Sequence, residues 1–324
     1  MKSILLFDTS IATFNTGDEI IMESIKKNWP ELFKHNYTRT FPAHTPSFRL
    51  WQFLLNRNCA KYADVDLKFI CGTNILYTNM FRPAPLWNVF YGNTSIQEGT
   101  ICIGAGVGVN SSKTTLYTKL LFNKILSHKY IHSVRDDKTK QYLEQMGLKA
   151  CNTGCPTLWG LSPEFCKEIP QEKSNAVVFT LTGYQPDIEN DKAMIAVLRT
   201  SYDKLYFWPQ SLGDLQYLKS ITSINDIEIV TPNLMCFDEL LNLNIDYVGN
   251  RLHGGIYAMQ HKCRAIIVAI DYRATEMAKS YSIKCIDRKD IKEKLLDMIN
   301  SNWETRISGL DFNRIDNWKR QFKI

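Results

Sequence analysis

The feature that most limits the fold is an alternation that runs along the chain. Short, nearly continuous apolar runs, among them "SILLFDTS", "DLKFICG", "TICIGAGVG", "NAVVFTLTG", "IDYVGN" and "RAIIVAI", are separated by stretches with helical spacing such as "GDEIIMESIKKNW", "TLYTKLLFNKILS", "DKAMIAVLRTSYD" and "GGIYAMQH". A strand that is apolar at every position is buried on both faces, so helices must lie above and below it. That condition points to parallel sheets wound with crossover helices. At 324 residues the chain is long for one domain and comfortable for two. The polar stretch "SPEFCKEIPQEKSN", with two prolines, reads as a linker. The expectation is an α/β fold of two Rossmann-like domains, 1–165 and 166–324, with parallel sheets facing a central cleft. The last segment, "WETRISGLDFNRIDNWKRQF", reads as terminal helices of the second domain.

Composition narrows the class. Hydrophobic residues make up 44% and charged residues 22%, as in a soluble globular protein. No apolar run reaches membrane-spanning length, and the opening apolar stretch is closed by Asp8, as a first buried strand would be. Nine cysteines, an odd number including Cys59, fit reduced thiols better than a disulfide framework. A cytoplasmic location is expected, with association with the inner face of a membrane left open. The formal charge of +6 favours an anionic small molecule or membrane surface over nucleic acid, because no stripe of Lys and Arg stands out.

Several patterns imitate sites. Gly104, Gly106 and Gly108 are spaced G-x-G-x-G, not as the dinucleotide fingerprint, and Ser112 before Lys113 and Thr114 stands where a phosphate-binding loop needs glycine. Asp64-Val65-Asp66 matches the D-x-D of metal-dependent sugar transferases but also an ordinary polar strand entry. His128 and His132 are four apart without an evident third ligand, and Cys151 and Cys155 lack a second cysteine pair. No metal site is expected.

Three stretches carry chemistry. In "VGNRLHGG" an apolar strand hands over to a helix opened by Gly254 and Gly255, whose first N–H groups favour an anion. Arg251 adds a planar cationic fork and His253 a group that titrates near neutrality. The competing reading pairs Arg251 with a nearby acid and uses His253 as a cap. In "FNTGDEIIMESIKKNW", Asn15, Thr16 and Gly17 form the turn after the first strand, and Asp18 is placed either to serve the helix dipole or to accept a hydroxyl proton. In "HSVRDDKT", Arg135 ends a strand and supplies either a second cation or a pair for Asp136 or Asp137.

The order N-x-G-D-E, "GAGVG", "SVRD" with "LEQMGL", and "RLHGGIYAMQH" with "VAIDY" resembles the polysaccharide pyruvyl transferase family, from about Asp8 to about Ile283. The resemblance implies two Rossmann-type domains in a glycosyltransferase-B arrangement, with the N-terminal domain on the acceptor side and the C-terminal domain on the donor side. It implies transfer of the enolpyruvyl carbons of phosphoenolpyruvate to sugar hydroxyls of a polysaccharide or lipid-linked glycan, forming a pyruvate ketal and releasing phosphate. No cofactor is implied beyond the donor. Arg135, Arg251, Leu252 and Gly254 would then hold phosphoenolpyruvate, His253 would be acid or proton shuttle, and Asp18 the base. Asn15, Gly17, Asn74 and Gly106 would line the acceptor cleft, so segments around 18, 135 and 251–253 are expected to converge there.

Two departures stand out: Cys155 in "TGCPTLWG" replaces a carboxylate, and "CGTNILYTN" is less glycine-rich than its counterparts; both are expected to line the cleft. Trp87, Tyr91, Trp159 and Trp208 could stack on sugar rings or belong to the core. The alternatives are a nucleotide-sugar glycosyltransferase of the same architecture and a non-catalytic binding protein. Against the first, no glutamate-rich nucleotide-gripping stretch is clear, Glu239 being nearest.

Overall fold

The computed structural model describes residues 1–48, 52, 61–81, 86–91 and 94–324; Cys59 lies outside them. By contacts the chain separates into two compact units. The first holds 1–13, 21–159 and 311–324, and the second holds 14–20 and 160–310.

In the first unit β1 (Ser3–Asp8), β2 (Tyr37–Pro42), β3 (Leu67–Cys71) and β5 (Thr100–Ile103) form a parallel sheet in the order β2-β1-β3-β5. Two short parallel pairs join β4 (Leu76–Tyr77) to β6 (Val107–Gly108) and β7 (His132–Val134) to β8 (Ala150–Asn152). Every residue of β3 and β5 is buried, so both faces of these mostly apolar strands are covered, and the one charge, on Lys68, is satisfied by donating to Glu98 O at 2.8 Å. Asp66 serves the strand entry, accepting from Ser3 N and Oγ at 2.7 Å. Those bonds hold its carboxyl below the ordinary range. The terminal helix Phe312–Arg320, expected with the second domain, packs in the first unit. There Trp318 and Phe322 meet Trp29, and Phe322 also meets Phe69, at ring separations of 5.1–5.5 Å.

In the second unit six parallel strands are ordered β11 (Ile227–Ile229), β10 (Lys204–Phe207), β9 (Ala176–Thr180), β12 (Asp246–Gly249), β13 (Ala265–Ala269), β14 (Cys285–Asp287). Counted within the unit this is 3-2-1-4-5-6, the Rossmann order. The strand order reverses between β9 and β12, where the two connecting loops diverge and leave a crevice at the carboxyl ends. The amino end of the same strands is closed by a buried pair: Arg264 bonds Asp246 at 2.9 Å and reaches Ile299 O and Ser301 O at 2.8 and 2.7 Å, with its guanidinium over Trp303. It thereby satisfies carbonyls at the end of the helix Ile291–Asn300.

A buried histidine joins β5 to β7. His132 Nδ1 accepts from Cys102 N at 3.1 Å, and Nε2 donates to Ser127 O at 3.0 Å. Acceptance at Nδ1 requires the neutral ring, and burial pushes the pKa down to about 4 from 6.5. In the unfolded chain the ring takes up its proton near 6.5, so stability is lost as pH falls from there toward 4. The loss through this group is expected to be on the order of 3 kcal/mol. Urea unfolding across that range checks it: His132→Gln should be less stable than wild type at pH 7 but decline less steeply on acidification. Parallel declines would assign the acid sensitivity to other groups.

Candidate functional site

Three loops leave the carboxyl ends of β9, β10 and β12 and are tied by one ion pair. Arg251, the residue before the helix Leu252–Gln260, has its Nη2 2.5 and 2.6 Å from the two oxygens of Asp214, and Nη2 also bonds Ser211 Oγ. Its Nε donates to Leu181 O at 3.3 Å, and the guanidinium lies 4.9 Å from the ring centre of Tyr184. Asp214 is 0% exposed and Arg251 6%. Of the two readings the sequence left open for Arg251, a cation for a ligand or a partner for a nearby acid, the structure shows the acid pairing at Nη2. The reason lies in the stretch "WPQSLGD", which follows β10 and carries both Ser211 and Asp214 to the switch point. Asp214 also accepts from Gly183 N at 3.0 Å and Ser211 N at 2.9 Å, so its carboxylate closes three loops at once. Tyr247 completes the shelf from below, donating to Arg251 O at 2.8 Å, and burial raises its phenol above the ordinary range.

The residue before Ser211 links this loop to the N-x-G-D segment. Gln210 O accepts from Thr16 N at 2.9 Å, and Gln210 Nε2 donates to Asn15 Oδ1 at 3.0 Å. Asn15 Oδ1 also accepts from Gly17 N at 3.2 Å, while Asn15 Nδ2 donates to Asp18 Oδ2 at 3.3 Å. A carboxylate accepts only, so the orientation of each amide in this chain is set in turn from Asp18 to Gln210. Gln210 Oε1 then faces the helix Leu252–Gln260: a Cβ on Gly254 would lie 3.1 Å from it, and a Cβ on Gly17 would lie 2.6 Å from Nε2. Glycine at both positions lets two helix N-termini approach one side chain. Asn15, Gly17, Asp18, Arg251, Leu252, His253 and Gly254 therefore belong to one unit. Asp18 is buried and His253 half-buried. Asn250, between Gly249 and Arg251, is buried with neither side-chain polar atom hydrogen-bonded among the described residues. Such a group at a switch point marks a polar site.

The first unit gathers the remaining candidates at the carboxyl ends of β3, β5 and β7. A Cβ on Gly106 would fall 2.4 Å from both Arg135 Nε and Asn74 Oδ1, so glycine there makes room for the two side chains. Arg135 Nε is 3.5 Å from Asp136 and the side chain is partly exposed. Asn74 Oδ1 is buried without a hydrogen-bond partner among the described residues. Cys155 does not line an opening: it is buried, it takes a hydrogen bond from Thr157 Oγ1 at 3.1 Å, and burial raises its thiol above the ordinary range. A neutral thiol cannot replace a carboxylate as a base or anion. Trp87, Trp159 and Trp208 are core residues, whereas Tyr91 is exposed.

Gln210, Asp214 and Asn250 escaped the sequence reading. An amide or acid in a strand-to-loop stretch is common, and only the sheet order shows that these loops meet. Removing one partner of a buried ion pair leaves the other charge uncompensated. Asp214→Asn is expected to lower stability by about 3–5 kcal/mol in urea unfolding, whereas Glu304→Gln, from the exposed pair with Arg306, should leave it nearly unchanged. Equal effects would show that the Asp214 pair is not what holds the loops.

Comparison with known proteins follows the same lines. None of the curated proteins matches the chain. Among solved structures it is similar over its whole length to S. aureus MnaA in complex with UDP, with a TM-score of 0.56, 12% identity, and coverage of 100% of this chain and 97% of that one. UDP-GlcNAc 2-epimerase from Neisseria meningitidis bound to UDP-GlcNAc gives 0.54 and 9%, covering 99% and 100%; the Methanocaldococcus jannaschii enzyme in complex with UDP-GlcNAc and UDP gives 0.54 and 13%, covering 98% and 99%. These likenesses establish the fold, α/β with parallel sheets of the glycosyltransferase-B-like type. The family model for polysaccharide pyruvyl transferase matches residues 15–272, a span that begins at the Asn15 amide and contains both Asp18 and Arg251-Leu252-His253, and the chain belongs to that family.

Proposed function

We propose that the protein transfers the pyruvyl group of phosphoenolpyruvate to hydroxyls of a glycan or lipid-linked sugar, forming a ketal and releasing phosphate. Family membership supports a polysaccharide pyruvyltransferase. The observation that carries the finer reading is the Gln210–Asn15–Asp18 chain, which places an acid–base candidate and the R-L-H helix around one side chain.

In this reading the donor's anionic groups lie at the N-terminus of the helix Leu252–Gln260, where the amides of Leu252 to Gly254 and the helix dipole favour negative charge. Arg251 contributes through its Nη1 edge while Asp214 keeps Nη2. The donor is itself the only small-molecule reactant besides the acceptor, and no cofactor is invoked. A sugar oxygen adds to C2 as Asp18 takes the hydroxyl proton and His253 delivers a proton to C3. Phosphate then leaves C2 with the C–O electron pair, and a second hydroxyl of the same sugar adds to the resulting oxocarbenium carbon, its proton passing to the His253 ring that protonated C3, which closes the ketal. Oxidation states balance without a redox partner. A cytoplasmic location is part of the proposal, because phosphoenolpyruvate is an intracellular metabolite; no helix among the described residues is long and apolar enough to cross a membrane.

Phosphate release from phosphoenolpyruvate across a panel of acceptor glycans tests the reaction; stabilisation by UDP-sugars and not by phosphoenolpyruvate would instead favour a nucleotide-sugar transferase. His253→Ala and Asp18→Asn are each expected to lower kcat by about 10²–10⁴ with donor affinity little changed. Fully active variants would remove those residues from the mechanism. Gln210→Met keeps the side-chain length but removes the amide, and should lower kcat about tenfold or more at unchanged donor affinity if the amide chain orients Asp18.

A further inference from the structure

From Gly99 to Arg135 the sequence contains no Asp or Glu, yet it carries Lys113, Lys119, Lys124, Lys129 and Arg135. The structure gathers part of this stretch on one face of the first unit. The helix Leu116–Ile125 buries Thr118, Leu121, Phe122 and Ile125. That leaves Leu116 and Leu120, one turn apart, on its outer face at 73% and 52% exposure. Phe81, 76% exposed, packs edge-on against Tyr117 at 5.3 Å. Tyr117 Oη accepts from Tyr91 N at 3.0 Å, and Lys124 lies over the Tyr91 ring at 4.7 Å. Val109, 60% exposed, leads into Asn110, whose side chain accepts from Asn79 N at 2.8 Å and donates to Asn79 O at 2.8 Å, two residues before Phe81. These contacts bring the segments that carry Val109, Phe81, Leu116 and Leu120, all exposed, next to one another in the first unit. Lys113, Lys119 and Lys124 are exposed alongside them. The acid nearest the rim in these contacts is Glu98, 3.7 Å from Lys124.

We propose that this face docks on an anionic lipid surface, with Phe81, Val109, Leu116 and Leu120 entering the acyl boundary and the lysines meeting the headgroups. An apolar stripe flanked by lysines is the arrangement by which a helix lies in a membrane interface. A patch of large exposed apolar side chains is unfavourable in water and calls for a covering partner. Charge selects which partner: two copies of this chain meeting through the face would bring lysine against lysine, whereas anionic lipid neutralises them. The contact is independent of which reaction the protein performs. It also lies close along the chain to Gly106, since β6 leads directly from Gly106 to Val109, so a lipid-borne sugar held at that surface would be presented near Asn74 and Arg135.

Flotation of the full chain with vesicles tests this. Binding is expected to phosphatidylglycerol-containing vesicles and not to pure phosphatidylcholine, and to fall at high salt. Leu116→Ser with Leu120→Ser should weaken it about tenfold or more, and Lys113→Glu with Lys119→Glu likewise, each with the wild-type melting temperature. Should the serine pair fail to fold, the glutamate pair carries the same expectation. Wild-type protein that ignores anionic vesicles, binds both lipids equally, or is unaffected by the variants overturns the proposal. So does a wild-type dimer that the serine pair converts to a monomer in light scattering, which would assign the face to a second copy.

Discussion

The ion pair between Asp214 and Arg251 is the interaction on which the second unit's site depends. A Rossmann sheet leaves a crevice where its strand order reverses, but the crevice by itself is only a gap between loops. Here one carboxylate gathers the loops after β9, β10 and β12, taking bonds from Gly183, Ser211 and Arg251. Both charges are out of water, so neither can leave without stranding the other. That is a reason for the loops to keep one arrangement and for the helix starting at Leu252 to point its N-terminus at a defined place.

The same sheet has a second buried arginine–aspartate pair, Arg264 with Asp246, and the contrast is instructive. Arg264 sits at the amino end of β12, gives Nη1 to Asp246 and spends Nη2 on the carbonyls of Ile299 and Ser301, closing that end of the sheet onto a helix terminus. At the carboxyl end, Arg251 is flanked by the glycine-opened helix and by Asn250, whose amide has no partner among the described residues. Identical chemistry is thus structural at one edge and part of a polar site at the other. Position on the sheet decides between them.

The amide chain from Gln210 through Asn15 to Asp18 shows how a loop can set an acid's surroundings without adding charge. Each amide has one orientation because Asp18 can only accept. The glycines at 17 and 254 are required by proximity and not by turn geometry, since each faces the Gln210 amide where a methyl group would intrude. In the first unit Gly106 does the same for Arg135 and Asn74. Glycines in the motifs therefore report close approach of side chains from distant segments.

Much of this was legible in the amino-acid sequence. Continuous apolar runs such as "LKFIC" and "AIIVA" can only be strands buried on both faces, and that condition alone selects parallel sheets with helices on either side. The R-L-H-G-G and N-x-G-D segments stand out as strand-to-helix handovers, where charged and titratable residues beside glycines serve either a ligand or the helix terminus itself. What the sequence could not decide was partnership. Whether Arg251 faces a ligand or an acid depends on Asp214, thirty-seven positions away, arriving through the strand order β10-β9-β12. Whether Cys155 meets solvent or the core, and whether the last helix packs with the first unit through Trp318 and Phe322, depends on which surfaces remain uncovered once the sheets have formed. Local pattern determines elements because it acts through neighbouring residues; pairing and burial follow from contacts that exist only after the chain has folded back on itself.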